Sequence, residues 1–102
     1  MKKLTDTHRE HWLRSDAIAD ARDRAEMRGE SYAIVERWIV VDEGDMYHDA
    51  TAYGTALMMG VEPERIVTWV HPHGMPPITD ARMTALYADD LATQRQLEAA
   101  RS

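Results

Sequence analysis

Residues 71–77 read HPHGMPP, and no regular secondary structure can run through them. Proline lacks the backbone N–H that helices and strands use, and three prolines with a glycine in seven residues define a loop. After this loop, residues 79–100 form the clearest predicted helix. Thr79 is a suitable N-cap, and large apolar residues follow along the segment (Met83, Leu86, Tyr87, Leu91 and Leu97).

A second helix is predicted over residues 5–28. Thr5 or Thr7 can cap its start, and Gly29 stands where a helix usually ends. Its apolar positions repeat every four residues and are mostly alanine (Leu13, Ala17, Ala21 and Ala25). Because large apolar side chains are few, this helix needs a partner surface, either the body of its own domain or a second chain.

Residues 31–43, SYAIVERWIVVDE, fit either a strand or a helix. Their β-branched and aromatic residues favour a strand, but some apolar positions also share one face of a helix (Ile34, Trp38 and Val41). Residues 61–71, VEPERIVTWVH, leave the same two alternatives open. Pro63 suits the first position of a helix, whereas the run IVTWV suits a strand.

Residues 50–59 are predicted to form a short helix, with Asp49 as its N-cap and Gly60 at its end. A spaced pattern of small, glycine and apolar residues runs from this helix into the next segment (Ala56, Met59, Gly60, Val61, Ile66 and Trp69). The pattern resembles the helix-turn-helix of the Cro/phage-repressor and excisionase-like superfamily, over about residues 49–87. The resemblance implies that Gly60 turns the chain between two packed helices. Thr55 departs from the pattern, since the family usually has Leu there.

The fold class that follows is mainly α. We expect residues 1–102 to form a single small helical domain with a long N-terminal helix, a helix-turn-helix-like core over 49–71 and a C-terminal helix. The two ambiguous segments leave room for one or two short β-strands, over 32–41 and 65–71.

The second helix of such a core, starting here at Pro63, would enter the major groove of DNA. The residues expected at the DNA are its outward side chains and nearby cations (Glu64, Arg65, Val67, Thr68, His71 and Arg82). Val67 and Thr68 could touch a thymine methyl, and Glu64 could accept from cytosine, while phosphate anchors are few. The chain has no Asn, no Phe and no Lys after position 3, whereas Ala, Arg and Asp are abundant. We interpret this composition as a high-GC coding bias, as in an actinobacterium or one of its phages. On this hypothesis it is a small phage or actinobacterial regulatory protein that acts as a dimer or with a partner.

The charge favours a different hypothesis. The chain has 12 Lys and Arg against 18 Asp and Glu, a formal net charge of −6, whereas nonspecific nucleic-acid binders need a basic surface. An acidic inhibitor or adaptor, such as a phage-encoded antagonist of host defence or of a regulator, would bind a basic protein surface without touching nucleic acid. The first helix offers an acidic ridge and two large apolar residues for that contact (Asp16, Asp20, Asp23, Trp12 and Leu13).

Other classes of function lack their residues. The chain has no Cys, so disulfides and thiolate metal sites are excluded, and no motif pairs a nucleophile with a base or cradles a phosphate. We therefore expect neither an enzyme nor a cofactor. His71 and His73 form a weak metal motif that ordinary surface histidines also explain. No apolar run reaches the roughly 18 residues of a membrane helix, and we expect a cytoplasmic protein.

Overall fold

The computed structural model describes residues 10–11, 14–41 and 44–101, including the side chains of 15–36 and 50–101. The described chain contains four strands and three α-helices, and one 3-10 turn, Pro63–Arg65, precedes the last strand. In chain order the elements are β1 (Glu10–His11), α1 (Arg14–Arg28), β2 (Tyr32–Val41), β3 (Gly44–Ala52), α2 (Tyr53–Met59), β4 (Ile66–Val70) and α3 (Asp80–Arg101).

The strands form one antiparallel sheet in the order β1-β3-β2-β4. β2 and β3 make a long hairpin, in which Tyr32 lies opposite Ala52 at one end and Val41 opposite Gly44 at the other. β4 pairs with the first half of β2 on its other side. The β-branched and aromatic residues of YAIVERWIVV fit this pleated surface, so the strand alternative for this segment is correct.

Both neighbours of β2 carry a β-bulge at the same level of the sheet. At the step from Ile34 to Val35, the register along β3 skips Asp49 and the register along β4 skips Val67. An extra residue shifts the alternation of side chains beyond it. As a result, β4 places Ile66 on the same side as Trp69, three residues later.

The first four residues of the central strand β2 are buried on both faces of the sheet. Tyr32 and Ile34 face the core under α1, whereas Ala33 and Val35 face the core under α3, and none of the four is more than 4% exposed. The described part of the molecule therefore has three layers, with α1 on one face of the sheet and α2 with α3 on the other.

The α1 layer is built from small side chains. Ala17, Ala21 and Ala25 are fully buried against the sheet, as the four-residue spacing predicts. Gly29 ends the helix in the left-handed conformation with φ +67°, and its N–H donates to the Ala25 carbonyl at 2.8 Å. The expected end of this helix is thus correct. Its start is not, because the helix begins at Arg14 and residues 10–11 form a strand.

The α3 layer is built from large side chains. Met83, Tyr87 and Leu91, again four residues apart, pack on the opposite face of the sheet together with residues from α2 and β4. Thr79 caps the helix as predicted: its hydroxyl accepts from the Arg82 N–H at 3.1 Å. The observed helix, Asp80–Arg101, agrees with the predicted range to within one residue at each end.

The mainly α fold class is wrong, and so is the helix-turn-helix core over 49–71. Pro63–Arg65 is a single 3-10 turn, and the next five residues pair with β2 as β4. The apolar spacing that suggested a recognition helix comes from the bulge, because it buries Ile66 and Trp69 on one side of a strand at a separation of three. The domain is α+β, with both segments that were left open as strands, 32–41 and 65–71, contributing a strand.

The short helix before this segment also starts later than predicted. β3 continues to Ala52, so Asp49 lies in a strand and does not cap a helix. The predicted end is correct, because Gly60 has φ +68°, its N–H donates to the Leu57 carbonyl, and the Val61 N–H donates to the Ala56 carbonyl, each at 3.1 Å. These two bonds are those of a Schellman motif.

Replacing Gly60 with Val should lower the free energy of unfolding by more than about 1 kcal/mol, because a β-branched residue resists the left-handed conformation. The cost is conformational, since a Cβ at this position would meet only Arg95 Nη2, at 4.0 Å. Urea unfolding measures it. The matched control is Gly54→Ala, inside α2 with open space around the new Cβ, which should stabilise the protein by up to about 1 kcal/mol. Equal stabilities for the two variants would contradict the prediction.

Candidate functional site

The segment predicted to read DNA presents no common face. Glu64 and Arg65 lie exposed in the 3-10 turn. Val67 is partly buried against the α1 layer, and Thr68 donates its hydroxyl to Asp80 Oδ2 at 2.6 Å. Because no helix aligns them, these four side chains do not form the row that a recognition helix would present.

The other two predicted DNA contacts, His71 and Arg82, follow this segment in the chain. His71 belongs to the loop after β4, where its Nδ1 is 2.8 Å from Ser31 Oγ, and the Ser31 hydroxyl donates to Met75 Sδ at 3.4 Å. These bonds fasten the loop to the start of β2. Arg82 is exposed in the first turn of α3. The histidine therefore has a structural role in the loop.

The acidic ridge predicted on α1 is balanced by arginines. Asp16 and Asp23 are exposed, and Asp20 forms an i,i+4 ion pair with Arg24 at 3.5 Å. The helix RSDAIADARDRAEMR carries four acidic and four basic residues in all. Such a mixed surface has no strong field of one sign. Trp12 and Leu13, the apolar part of that predicted interface, lie outside the described residues.

A groove between α2 and α3 is the strongest candidate site among the described residues. It has a volume of about 540 Å³ and is lined by Met58, Gln94, Leu97, Glu98 and Arg101. Met58 is 83% exposed and Leu97 is 58% exposed. Two large apolar side chains thus face solvent in one concave surface with charged groups at its edge.

This groove exists because α3 is longer than the layer it covers. Its buried stripe ends at Leu91, and from position 92 to 101 every residue except Gln94 is exposed. At a rise of 1.5 Å per residue, these ten residues add about 15 Å of helix beyond the last buried side chain. α2 is short and ends beside them, so the extension of α3 and the last turn of α2 form the two walls.

Two side chains of α3 hold the end of α2 in place. The Tyr87 hydroxyl lies 3.0 Å from the Ala56 carbonyl and 2.7 Å from the Val61 carbonyl. Gln94 Nε2 donates to the Leu57 carbonyl at 2.6 Å. The Ala56 and Leu57 carbonyls also accept the two backbone bonds that end α2, so the side chains of α3 bind the same turn a second time. The wall of the groove that α2 forms is therefore held in a fixed position.

A salt bridge extends the same support to the following turn. Arg95 donates to Glu62 Oε1 at 2.5 Å, with both side chains about half exposed. The hydrogen bond and the charge of Glu62 raise the pKa of the Arg95 guanidinium above its usual range. Exposed pairs of this kind contribute little to stability, so its main effect is to fix the position of Arg95.

Three aromatic rings anchor α3 to the sheet beneath the groove. Tyr53, Trp69 and Tyr87 lie with their ring centroids 5.5 to 5.7 Å apart in every pair. Burial raises the pKa of Tyr87 to about 12. Burial and the hydrogen bond donated to Asp90 raise the pKa of Tyr53 well above its usual value. Both hydroxyls therefore stay protonated at neutral pH and act as donors.

The described residues offer little for catalysis or metal binding. They contain no group of three or more potential metal ligands. His73 Nδ1 lies 3.5 Å from Glu26 Oε1, but no third ligand joins this pair. Ser31 beside His71 resembles a nucleophile and base, yet Ser31 is only 8% exposed and His71 Nε2 has no partner among these residues to orient the ring.

The groove is a feature that sequence reasoning missed. Leu97 was recognised as part of the α3 stripe, but the stripe alone does not show where the covering layer ends. No protein-family model, curated protein or solved structure matches the chain. Within the described residues, no helix is long and apolar enough to cross a bilayer.

Asp80 closes the outer edge of β4, and removing its carboxylate should destabilise the sheet. It accepts from the Thr68 hydroxyl and from the Trp69 N–H, the latter at 3.3 Å. Asp80→Ala should lower the free energy of unfolding by about 1–3 kcal/mol. Asp80→Asn, which keeps an acceptor, should lose less. Asp89→Ala, an exposed position on the same helix, is the control in urea unfolding; a loss as large at Asp89 would refute the role of the edge contact.

Alkaline pH should destabilise the protein through Tyr87. Its pKa rises from 10.0 to about 12 on folding, so the folded state holds the proton more tightly than the unfolded state. This stabilisation is complete below about pH 10 and is lost as the pH rises towards 12. Tyr87→Phe should be less stable at pH 8 but should show a flatter decline above pH 10 in urea titrations. Identical slopes for both proteins would contradict this assignment.

Proposed function

We propose that this chain is a small protein-binding domain and that the α2–α3 groove is its docking surface. The observation that carries the proposal is the exposure of Met58 and Leu97 in one groove. Soluble proteins leave scattered apolar side chains in water, but a concave apolar surface with a charged edge is typical of an interaction site. Methionine suits such a surface because its flexible thioether adapts to a partner.

The arrangement of charge supports a protein partner over a nucleic acid. Glu98 and Arg101 stand at the edge of the groove, so the surface carries both signs. DNA binding needs several cations on one face, and the chain as a whole has a net charge of −6. The DNA-binding hypothesis also depended on a helix starting at Pro63, and that segment is a turn followed by β4.

The rigidity of the groove supports docking as well. Tyr87 and Gln94 fix the last turn of α2, so its exposed Met58 is presented from a defined backbone. A preformed surface binds at a lower entropic cost than one that must order on contact. The α1 surface is less suited to this role, because its acidic and basic side chains alternate.

Site-specific photo-crosslinking tests the proposal. The photoreactive residue p-benzoylphenylalanine is placed at position 58 in cells that express the protein, and adducts are identified by mass spectrometry. Position 27 is the matched control, because Met27 is 84% exposed, on the opposite side of the sheet. We expect a discrete protein adduct from position 58 and none from position 27.

A second substitution in the same chain links the adduct to the groove. Leu97→Ser should abolish the adduct from position 58, since it removes the other apolar wall without touching the photoreactive residue. Equal labelling from positions 58 and 27, or labelling that survives Leu97→Ser, would count against the groove as a docking surface.

A further inference from the structure

We infer that Met58 is a redox-sensitive residue of the groove, and that hydrogen peroxide releases the docked protein by converting its thioether to a sulfoxide. This inference rests on the proposed docking function and adds its regulation. The chain has seven methionines and no cysteine. Thiolates and exposed thioethers are the sulfur groups that oxidants modify in proteins, so in this chain the exposed methionines are the ones that react.

The exposure of the methionines sets the order of their oxidation. Met58 is 83% exposed at the end of α2, and Met27 is 84% exposed on α1. Met83 is buried in the α3 layer, while Met75 is partly buried and its sulfur accepts a hydrogen bond from the Ser31 hydroxyl. Peroxide therefore reaches Met58 in the folded protein, whereas Met83 becomes accessible only when the core opens.

The reaction needs only the Met58 sulfur and the oxidant. The O–O bond of hydrogen peroxide breaks, one oxygen forms an S=O bond with the sulfur, and the other leaves as water with both hydrogens. The sulfur loses two electrons and the peroxide gains them. In the reverse step two thiols form a disulfide while the sulfoxide oxygen leaves as water, and methionine sulfoxide reductases catalyse this step. The modification is therefore reversible.

Oxidation at this position removes half of the apolar lining of the groove. The five described side chains that line it comprise two apolar ones, Met58 and Leu97, and three polar ones, Gln94, Glu98 and Arg101. A sulfoxide is polar, and burying it under a partner without a hydrogen bond is unfavourable. A protein that docks on the thioether therefore loses affinity when the sulfur is oxidised.

The exposure of Met58 also protects the fold from the modification. Because most of this side chain is in water, its sulfoxide disturbs few buried contacts. Tyr87 and Gln94 hold the end of α2 through backbone carbonyls, which the oxidation leaves unchanged. We therefore expect a loss of docking without a loss of stability, and this combination distinguishes a switch in the groove from oxidative damage to the core.

Timed treatment of the full chain with hydrogen peroxide, read by peptide mass spectrometry, tests the chemical step. Met58 and Met27 should be oxidised at rates within about threefold of each other and at least about tenfold faster than Met83. Urea unfolding of the chain at the stage where Met83 is still reduced should match that of the untreated chain. Oxidation of Met83 as fast as Met58, or a loss of stability at this stage, would overturn the inference.

Photo-crosslinking from position 101 tests the effect on docking. Arg101 lines the groove, and placing p-benzoylphenylalanine there leaves the Met58 thioether intact. The purified chain is oxidised, freed of peroxide and returned to a desalted extract of the cells, so that the partner itself is not oxidised. The yield of the protein adduct should fall at least about fivefold, and methionine sulfoxide reductase with a dithiol should restore it.

Three variants assign the effect to one sulfur. Leu97→Ser should abolish the adduct from position 101 without oxidation, which ties this adduct to the groove. Met58→Leu, which keeps the volume of the side chain but cannot be oxidised, should retain the adduct after peroxide treatment. Met27→Leu is the matched control: it removes an equally exposed thioether outside the groove and should give no protection.

The outcomes separate this inference from the function on which it rests. An adduct that survives complete oxidation of Met58 would overturn the inference and keep the docking groove. A loss of adduct that Met58→Leu does not prevent would place the sensitive methionine elsewhere and would also overturn it. A reduced chain that gives no protein adduct, from position 58 as from position 101, would remove the docking function and its regulation together.

Discussion

The start of β2, residues 32–35, is covered by helices on both faces of the sheet, and the two faces require different helices. Alternation along a strand sends Tyr32 and Ile34 to one face and the smaller Ala33 and Val35 to the other. The larger pair packs against an alanine stripe, whereas the smaller pair lies in the cluster that contains Met83, Tyr87 and Leu91. Large side chains thus face small ones in both layers, as close packing of the interior requires. The positions of α1 and α3, and of everything they support, follow from this pairing.

α3 has two roles that meet near Leu91. Before this residue it is a core helix, and after it the same helix is one wall of an exposed groove. Tyr87 comes before Leu91 and Gln94 comes after it, and both side chains bind the end of α2. The rigidity of the second wall therefore comes from the same contacts that complete the core.

The sequence predicted the positions of burial better than the elements that carry them. Ala56, Val61 and Trp69, three positions of the helix-turn-helix pattern, are all buried, and Gly60 has the left-handed conformation that the pattern requires. The error lay in the element between Ile66 and Val70. A bulge in a strand buries residues at a spacing of three, and that spacing is also helical, so periodicity cannot distinguish them. The segment is a strand because it pairs with β2, which lies more than thirty residues earlier in the chain. The groove was missed for a related reason, because the end of a covering layer is a tertiary property.

The alanine stripe under α1 also gives the two layers unequal strength. An alanine offers one methyl group, worth on the order of 1 kcal/mol when buried, whereas each large side chain of the α3 layer offers two to three times as much. Local unfolding occurs first in the layer whose detachment has the lowest free-energy cost. Detachment of α1, with the sheet and α3 still folded, is therefore the partial unfolding that requires the least free energy in the described fold. Amide protons along α1 would exchange with solvent long before those at the aromatic cluster, and the two helices would report separate opening free energies.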